Sequence, residues 1–311
     1  MILQGSLVII QQILILFLLA AVGYLCAHLA IIDDQGARQL TDLLLIVITP
    51  AIIINAFQVS ADELQPLNML AVAAVAVLTH LIGALLGWLF FRKEAPERRA
   101  VLIFATVFFN PGFFGLPLLG AVLGNLAVAY GSIFVAIFNI VLWTYGVTLM
   151  DDQPQQTRLK KLLNPGVVTF LAVLLLYAFK IQLPAIVQKP ISALAAIHSP
   201  LAMLLVGVQF YGFRRQLSLK DGGVWKLVAL RDVITPLLML PLIFLLTDDP
   251  LVLRACALTA ATPTAVNTVL FATRYRRDVR LSVQAVILTT IAVIVSIPLI
   301  MLLVEALLSR P

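Results

Sequence analysis

Ten apolar stretches separated by short polar turns govern what this chain can become. They fall at roughly 6–31, 38–57, 67–91, 99–123 and 125–149, then at 165–183, 188–213, 224–247, 250–272 and 279–307, the sixth being the shortest. About 20 apolar residues cross the hydrocarbon core as a helix. In lipid every backbone N–H and C=O must find its partner inside the protein, so such stretches become helices. The composition agrees, with 62% hydrophobic and 12% charged residues and a mean hydropathy of +1.07; soluble domains carry about 25% charged residues. The fold class expected is an all-α membrane protein of ten transmembrane helices. No soluble domain fits between them, because the longest polar stretch is residues 150–166. The N-terminal apolar stretch lacks a basic start and a small-residue cleavage site, so it reads as the first span.

Charge sets the expected orientation. The net charge is +6 and the pI about 9.5, a balance that in a soluble chain would suggest nucleic acid. Here sixteen of the 21 Lys and Arg lie in the turns after stretches 1, 3, 5, 7 and 9, and four lie on the other side. Positive residues stay cytoplasmic, so both termini are expected outside and no nucleic-acid partner is expected. Cys26 and Cys256 both sit in apolar stretches, which offers neither a disulfide framework nor a metal site, and no cofactor is expected.

The stretches repeat. Pro50 in ITPAIIINAFQ and Pro200 in HSPLAMLLVGVQF are 150 residues apart, and Pro111 in FFNPGFFG and Pro263 in AATPTAVNTV are 152 apart. His80 falls opposite Arg231 and Asp232 at nearly the same offset. Five spans per unit is an odd number, so the second unit enters from the opposite side, giving the inverted-topology repeat of secondary transporters. The units are residues 1–149 and 165–311, joined by a cytoplasmic linker at 150–164.

Stretch four raises the sharpest chemical question. FFNPGFFGLPLLG, residues 108–120, has two prolines, three glycines and an asparagine where a helix should run through lipid. Proline removes a donor and clashes with the carbonyl four residues back, at a cost of about 3 kcal/mol or more. Such a break is tolerated at membrane depth only where the freed backbone is buried or lines a cavity. Each break exposes a half-helix N-terminus, which favours an anion. Asn110, Pro111 and Gly112 in stretch four, with Thr262, Pro263 and Asn267 in stretch nine, are therefore the candidate substrate-binding residues. Thr264 and Thr268 offer further hydroxyls. Asn110 serves equally as the N-cap of the half-helix that follows it.

NPGFFGLP resembles the asparagine- and proline/glycine-rich motif of the auxin efflux carrier family, which takes in the plant PIN proteins and bacterial proteins described as malonate and malate permeases. The resemblance covers the whole chain, and the short central loop is similar to that of the bacterial members. It implies the fold of the bile acid/sodium symporters, a 5+5 inverted repeat with broken helices 4 and 9 crossed, in a bacterial inner membrane. It also implies carboxylate transport by an elevator-like motion. The match in stretch nine, TPTAVNT, is looser.

Other polar groups inside the spans divide between two readings each. Arg231 and Asp232 form either a proton or charge relay, or an arginine snorkelling to the interface with Asp232 paired to a neighbour. His80 is either titrating or buried, neutral and hydrogen-bonded. His198 is expected to bond carbonyls freed at Pro200. Asn55 and Gln209, 154 residues apart, either line the substrate path or bond between helices. Asn139 and Gln284 carry weaker signals. Asp33/Asp34, Asp151/Asp152 and Asp248/Asp249 read as solvated turns, with too few convergent oxygens for a metal.

The function expected is a secondary transporter of small organic anions, with membrane lipid as its surroundings and proton or sodium coupling both open. The sequence leaves the oligomeric state open, a homodimer being one option. A channel or a membrane receptor is the alternative of a different class. An intramembrane enzyme is not expected, since G-x-S-x-G and His-rich metal motifs are absent from the sequence, as is a nucleotide-binding G-x-x-x-x-G-K-[ST] loop.

Overall fold

The computed structural model describes residues 2–151, 165–214 and 220–309, with side chains described from residue 10 onward and, in the second segment, from residue 167. The helices in chain order are α1 (Ile2–His28), α2 (Asp34–Val59), α3 (Pro66–Phe91), α4 (Pro96–Val107), α5 (Pro111–Leu123), α6 (Asn125–Met150), α7 (Pro165–Ala178), α8 (Ala185–Phe213), α9 (Gly222–Leu246), α10 (Pro250–Ala260), α11 (Asn267–Arg274) and α12 (Val279–Leu308). Seven are long and apolar enough to cross a membrane, and α5, α7 and α10 are shorter apolar helices. No strand occurs among the described residues. Leu18, Leu67, Leu70, Ile186 and Leu245 are each left at least 67% exposed. In water that surface would be an aggregation hazard, and in a bilayer it is the face that meets lipid.

Local chemistry explains where helices start. Pro66, Pro96 and Pro250 open α3, α4 and α10, where a missing N–H costs nothing. Acidic caps start others. Asp33 accepts from Gly36 N at 2.7 Å, Asp221 from Gly223 N at 2.9 Å, Asp249 from Leu251 N at 2.8 Å and Asp278 from Leu281 N at 2.9 Å. Asp33 and Asp249, expected as solvated turns, are thus structural caps; Asp152 and the rest of the linker lie outside the described residues.

Three prolines are absorbed without a break. Pro50, Pro117 and Pro236 each stand two residues after a widened π turn, at 44–48, 111–115 and 230–234. Widening lets Thr49, Leu116 and Thr235 donate five residues back, so the carbonyl that would meet the proline ring is turned aside. Pro200 stays inside a continuous α8. The helix expected over 165–183 closes at Ala178, and Lys180, with φ of 52°, turns the chain before α8.

Two packed groups result. In one, α1 lies along α8, α8 against α2, and α2 against α7. The α1–α8 approach is closed by glycine: a Cβ on Gly23 would fall 2.0 Å from Leu204 O, and one on Gly207 would fall 1.7 Å from Ala20 O. Such small-residue contacts substitute for a hydrophobic driving force in lipid. The other group gathers α3, α4, α6, α9, α10 and α12, with α5 on α6. Contacts of α1 with α12 and of α2 with α6 join the two.

The second group is clasped at both ends. Arg98 Nη2 donates to both oxygens of Asp221 at 3.0 and 2.9 Å, and Arg98 Nη1 lies 3.8 Å from Asp278. At the other end Asn68 Nδ2 donates to Asp249 at 2.9 Å, and Thr247 Oγ1 donates to Asn68 Oδ1 at 3.3 Å. Positions 98 and 249 are 151 apart, and 68 and 221 are 153 apart.

Candidate functional site

Stretches four and nine are the two that fail to run as single helices. α4 ends at Val107 and α5 begins at Pro111; α10 ends at Ala260 and α11 begins at Asn267. The two gaps pair with one another. Phe109 and Thr264 form an isolated antiparallel bridge, the only β contact among the described residues, and Ala265 N donates to Phe108 O at 2.8 Å. Thr264 Oγ1 donates to Ala105 O at 2.9 Å, while Thr264 N donates to Thr289 Oγ1 at 3.2 Å. The carbonyls freed at the end of α4 are thus met by donors from the second gap, which is why the break survives at this depth.

Asn110 caps α5: its Oδ1 accepts from Phe113 N at 3.1 Å. The cap fixes the side chain and leaves both Nδ2 protons without a partner among the described residues. The cap reading of Asn110 is thus seen, and the residue also carries a free amide donor. Two residues on, a Cβ on Gly112 would meet nothing within 4 Å. Gly115 packs on the other gap, 3.5 Å from Thr262 Cγ2 by the same measure. Thr262 Oγ1 donates back to Thr259 O at 2.8 Å, so its hydroxyl is engaged. Asn267, half-buried, opens α11 with a side chain that makes no hydrogen bond among the described residues, and Thr268 Oγ1 is buried without one.

The charged groups meet at the same place. Arg231 is fully buried within the π turn of α9. Its Nη2 donates to Ala260 O, its Nε donates to Thr262 O at 3.2 Å, and its guanidinium carbon stands 4.9 Å from the Phe109 ring centre. Snorkelling, one of its two expected roles, is overturned: the side chain reaches inward because the last carbonyls of α10 are unsatisfied and present the negative end of a helix. Asp232 is equally buried, and neither carboxylate oxygen has a hydrogen-bond partner among the described residues. His80 donates through Nδ1 to its own turn at Ala76 O, 2.7 Å away, and its ring lies 4.8 Å from that of Phe109. His80 and Arg231, matched by the repeat offset, therefore both contact Phe109.

The remaining residues lie elsewhere. Asn55 Oδ1 accepts from Gln188 Nε2 at 3.0 Å, a bond between α2 and α8, and Gln209 is half-buried on α8 without a hydrogen bond among the described residues. His198 faces Thr49 Oγ1 at 3.4 Å instead of a carbonyl freed at Pro200, because α8 does not open there. Asn139 bonds within its own helix to Val135 O at 2.8 Å, and Gln284 is buried on α12. Two cavities, of about 370 Å³ around Arg98, Asp278 and Gln284 and about 660 Å³ around Gln58 and Tyr177, open away from the breaks. The paired breaks themselves are closed: Phe109 and Thr264 are 0% exposed and Asn110 6%.

Buried, interrupted, mutually bonded helices of this kind belong to proteins that move solutes, and the comparison with known proteins agrees. The family model described as membrane transport protein matches residues 8–161 and 154–301. The chain belongs to that family. An uncharacterized transporter of Methanocaldococcus jannaschii is 23% identical over 293 residues, covering 89% of this chain and 93% of the relative. As a member of the membrane transport protein family, the chain is a multi-pass membrane transporter. Sequence reasoning missed three parts of the site: the role of Phe109, the two carbonyls held by Arg231, and the terminal clasps. Only the clasps left a signal, a polar residue at position 98 and another one offset later.

Proposed function

We propose that this membrane transporter is a secondary carrier of small organic anions, carboxylates foremost, whose substrate is held where the two interrupted spans pair. The observation that carries the reading is the bridge between Phe109 and Thr264 beside the unpartnered Asn110 amide. An amide donor at the start of a half-helix complements a carboxylate, which supports the reading. The chain is read as ten spans in two inverted units of five, 1–149 and 165–311. The near-constant offset between the clasps at its two ends supports this reading. So does the opposed pair of breaks. Both termini then face outside in the inner membrane.

The two packed groups support an elevator-like motion, in which the group bearing the breaks slides against α1, α2, α7 and α8. Closed breaks agree with an occluded resting state. One charge crossing 100 mV is worth about 2.3 kcal/mol, so a membrane potential negative inside can alone drive roughly fifty-fold export of a monovalent anion. Purified protein in proteoliposomes, offered a panel of labelled mono- and dicarboxylates, should show saturable uptake and counterflow. Asn110→Ala should abolish flux with expression intact. Ohmic, non-saturating flux would favour a channel and overturn the reading.

A further inference from the structure

The second break differs from an ordinary interrupted span in what fills it. Unwound carbonyls and the C-terminal ends of half-helices are the groups that coordinate a coupling cation in broken-helix transporters. In this chain the last carbonyl of α10, Ala260 O, and the carbonyl of Thr262 both accept from Arg231. A cation therefore already sits at the negative end of α10, and it is covalently fixed to α9. Arginine stays charged throughout the accessible pH range and cannot dissociate.

The surroundings are poor in anionic ligands for a second cation. Arg231 and Asp232 are the only buried charged side chains among the described residues. The Phe109 ring stands beside the guanidinium, and His80 is turned toward its own helix. A metal ion at the carbonyls would have Asp232 as its single anionic ligand and would stand against the guanidinium charge. No group of three or more His, Cys, Asp or Glu that could hold a metal occurs among the described residues.

We infer that Arg231 is a tethered substitute for a coupling sodium ion, a positioning residue that holds the second break in its paired geometry and makes the carrier independent of sodium. The inference rests on the transporter reading above and selects between the two coupling ions that the sequence leaves open. It also gives the arginine a role that a snorkelling or lipid-facing side chain could not have.

The test uses the purified full chain and reads thermal unfolding, which does not depend on knowing the substrate. Wild-type protein should have the same midpoint in sodium, potassium and choline chloride at equal ionic strength. Arg231→Ala should lower the midpoint by roughly 5 °C or more, and low millimolar guanidinium, far below denaturing concentrations, should recover part of that loss. Arg231→Lys should retain more of the midpoint than Arg231→Ala. If Arg231→Ala does not fold, the wild-type comparison of salts and Arg231→Lys still decide. A sodium-specific rise in the wild-type midpoint, or an Arg231→Ala protein as stable as wild type, would overturn the inference. Failure of every carboxylate to be transported would sink the proposed substrate class and leave this result standing.

Discussion

The two breaks are matched in position and opposite in chemistry. At the first, the half-helix start at Pro111 is capped by the neighbouring Asn110, and the carbonyls behind it are met by neutral donors, Thr264 Oγ1 and Ala265 N. At the second, the carbonyls of Ala260 and Thr262 are met by a guanidinium carried 29 to 31 residues away on α9. The same backbone problem has thus been solved once locally and once from a distance. Paired breaks need only match in geometry, and the groups that satisfy them can differ. The terminal clasps show the same difference, an ion pair at Arg98–Asp221 and an amide–carboxylate bond at Asn68–Asp249.

Substitutions can sharpen or break this contrast. The largest effect is expected at the charged side. Arg231→Met keeps bulk but leaves two buried carbonyls unmet, each costing about 1–3 kcal/mol, so thermal or denaturant unfolding should show a loss of about 3 kcal/mol. Asn110→Ala removes a helix cap, which costs about 1 kcal/mol, so its unfolding penalty should be clearly smaller while its transport is lost. Equal penalties at the two sites would mean that the breaks are held alike. Thr264→Val removes a hydroxyl that ties the second gap to Ala105 O. Hydrogen bonds between membrane helices are worth about 0.6 kcal/mol on average, so the stability change should be near that value, with slower uptake. Gly112→Ala should be the mildest, since its new methyl meets open space; stability should change by about 0.5 kcal/mol or less, within the range of substitutions that disturb no packed feature. A large loss there would show that the space beside Gly112 is filled in the working protein.

How far the sequence reached can be read from particular residues. The helices were legible because lipid forbids most alternatives, and the breaks at Pro111 and Pro263 because proline beside glycine or threonine cannot continue a helix. The matching of His80 to Arg231 was also visible as an offset. Their targets were not: nothing in the residue types says that Arg231 turns inward to Ala260 O, since a long basic side chain near a helix start has an equally good route to the interface. Pro50 and Pro200 share the repeat offset of the other pair but do not break their helices. A π turn absorbed the first and α8 runs through the second, a choice set by tertiary packing and not by local composition. Asn55 and Gln209 shared an offset without sharing a site, because Gln188 reaches Asn55 across the α2–α8 contact.

The central claim is that the Asn110 amide, held by its own cap beside the paired breaks, meets the anion. Asn110→Asp tests it most directly, because aspartate caps a helix as well as asparagine does but replaces the free Nδ2 donors with a negative charge. In proteoliposomes loaded for counterflow, the variant should keep the wild-type unfolding midpoint and lose carboxylate exchange. Wild-type exchange rates and substrate affinity in Asn110→Asp would contradict the account.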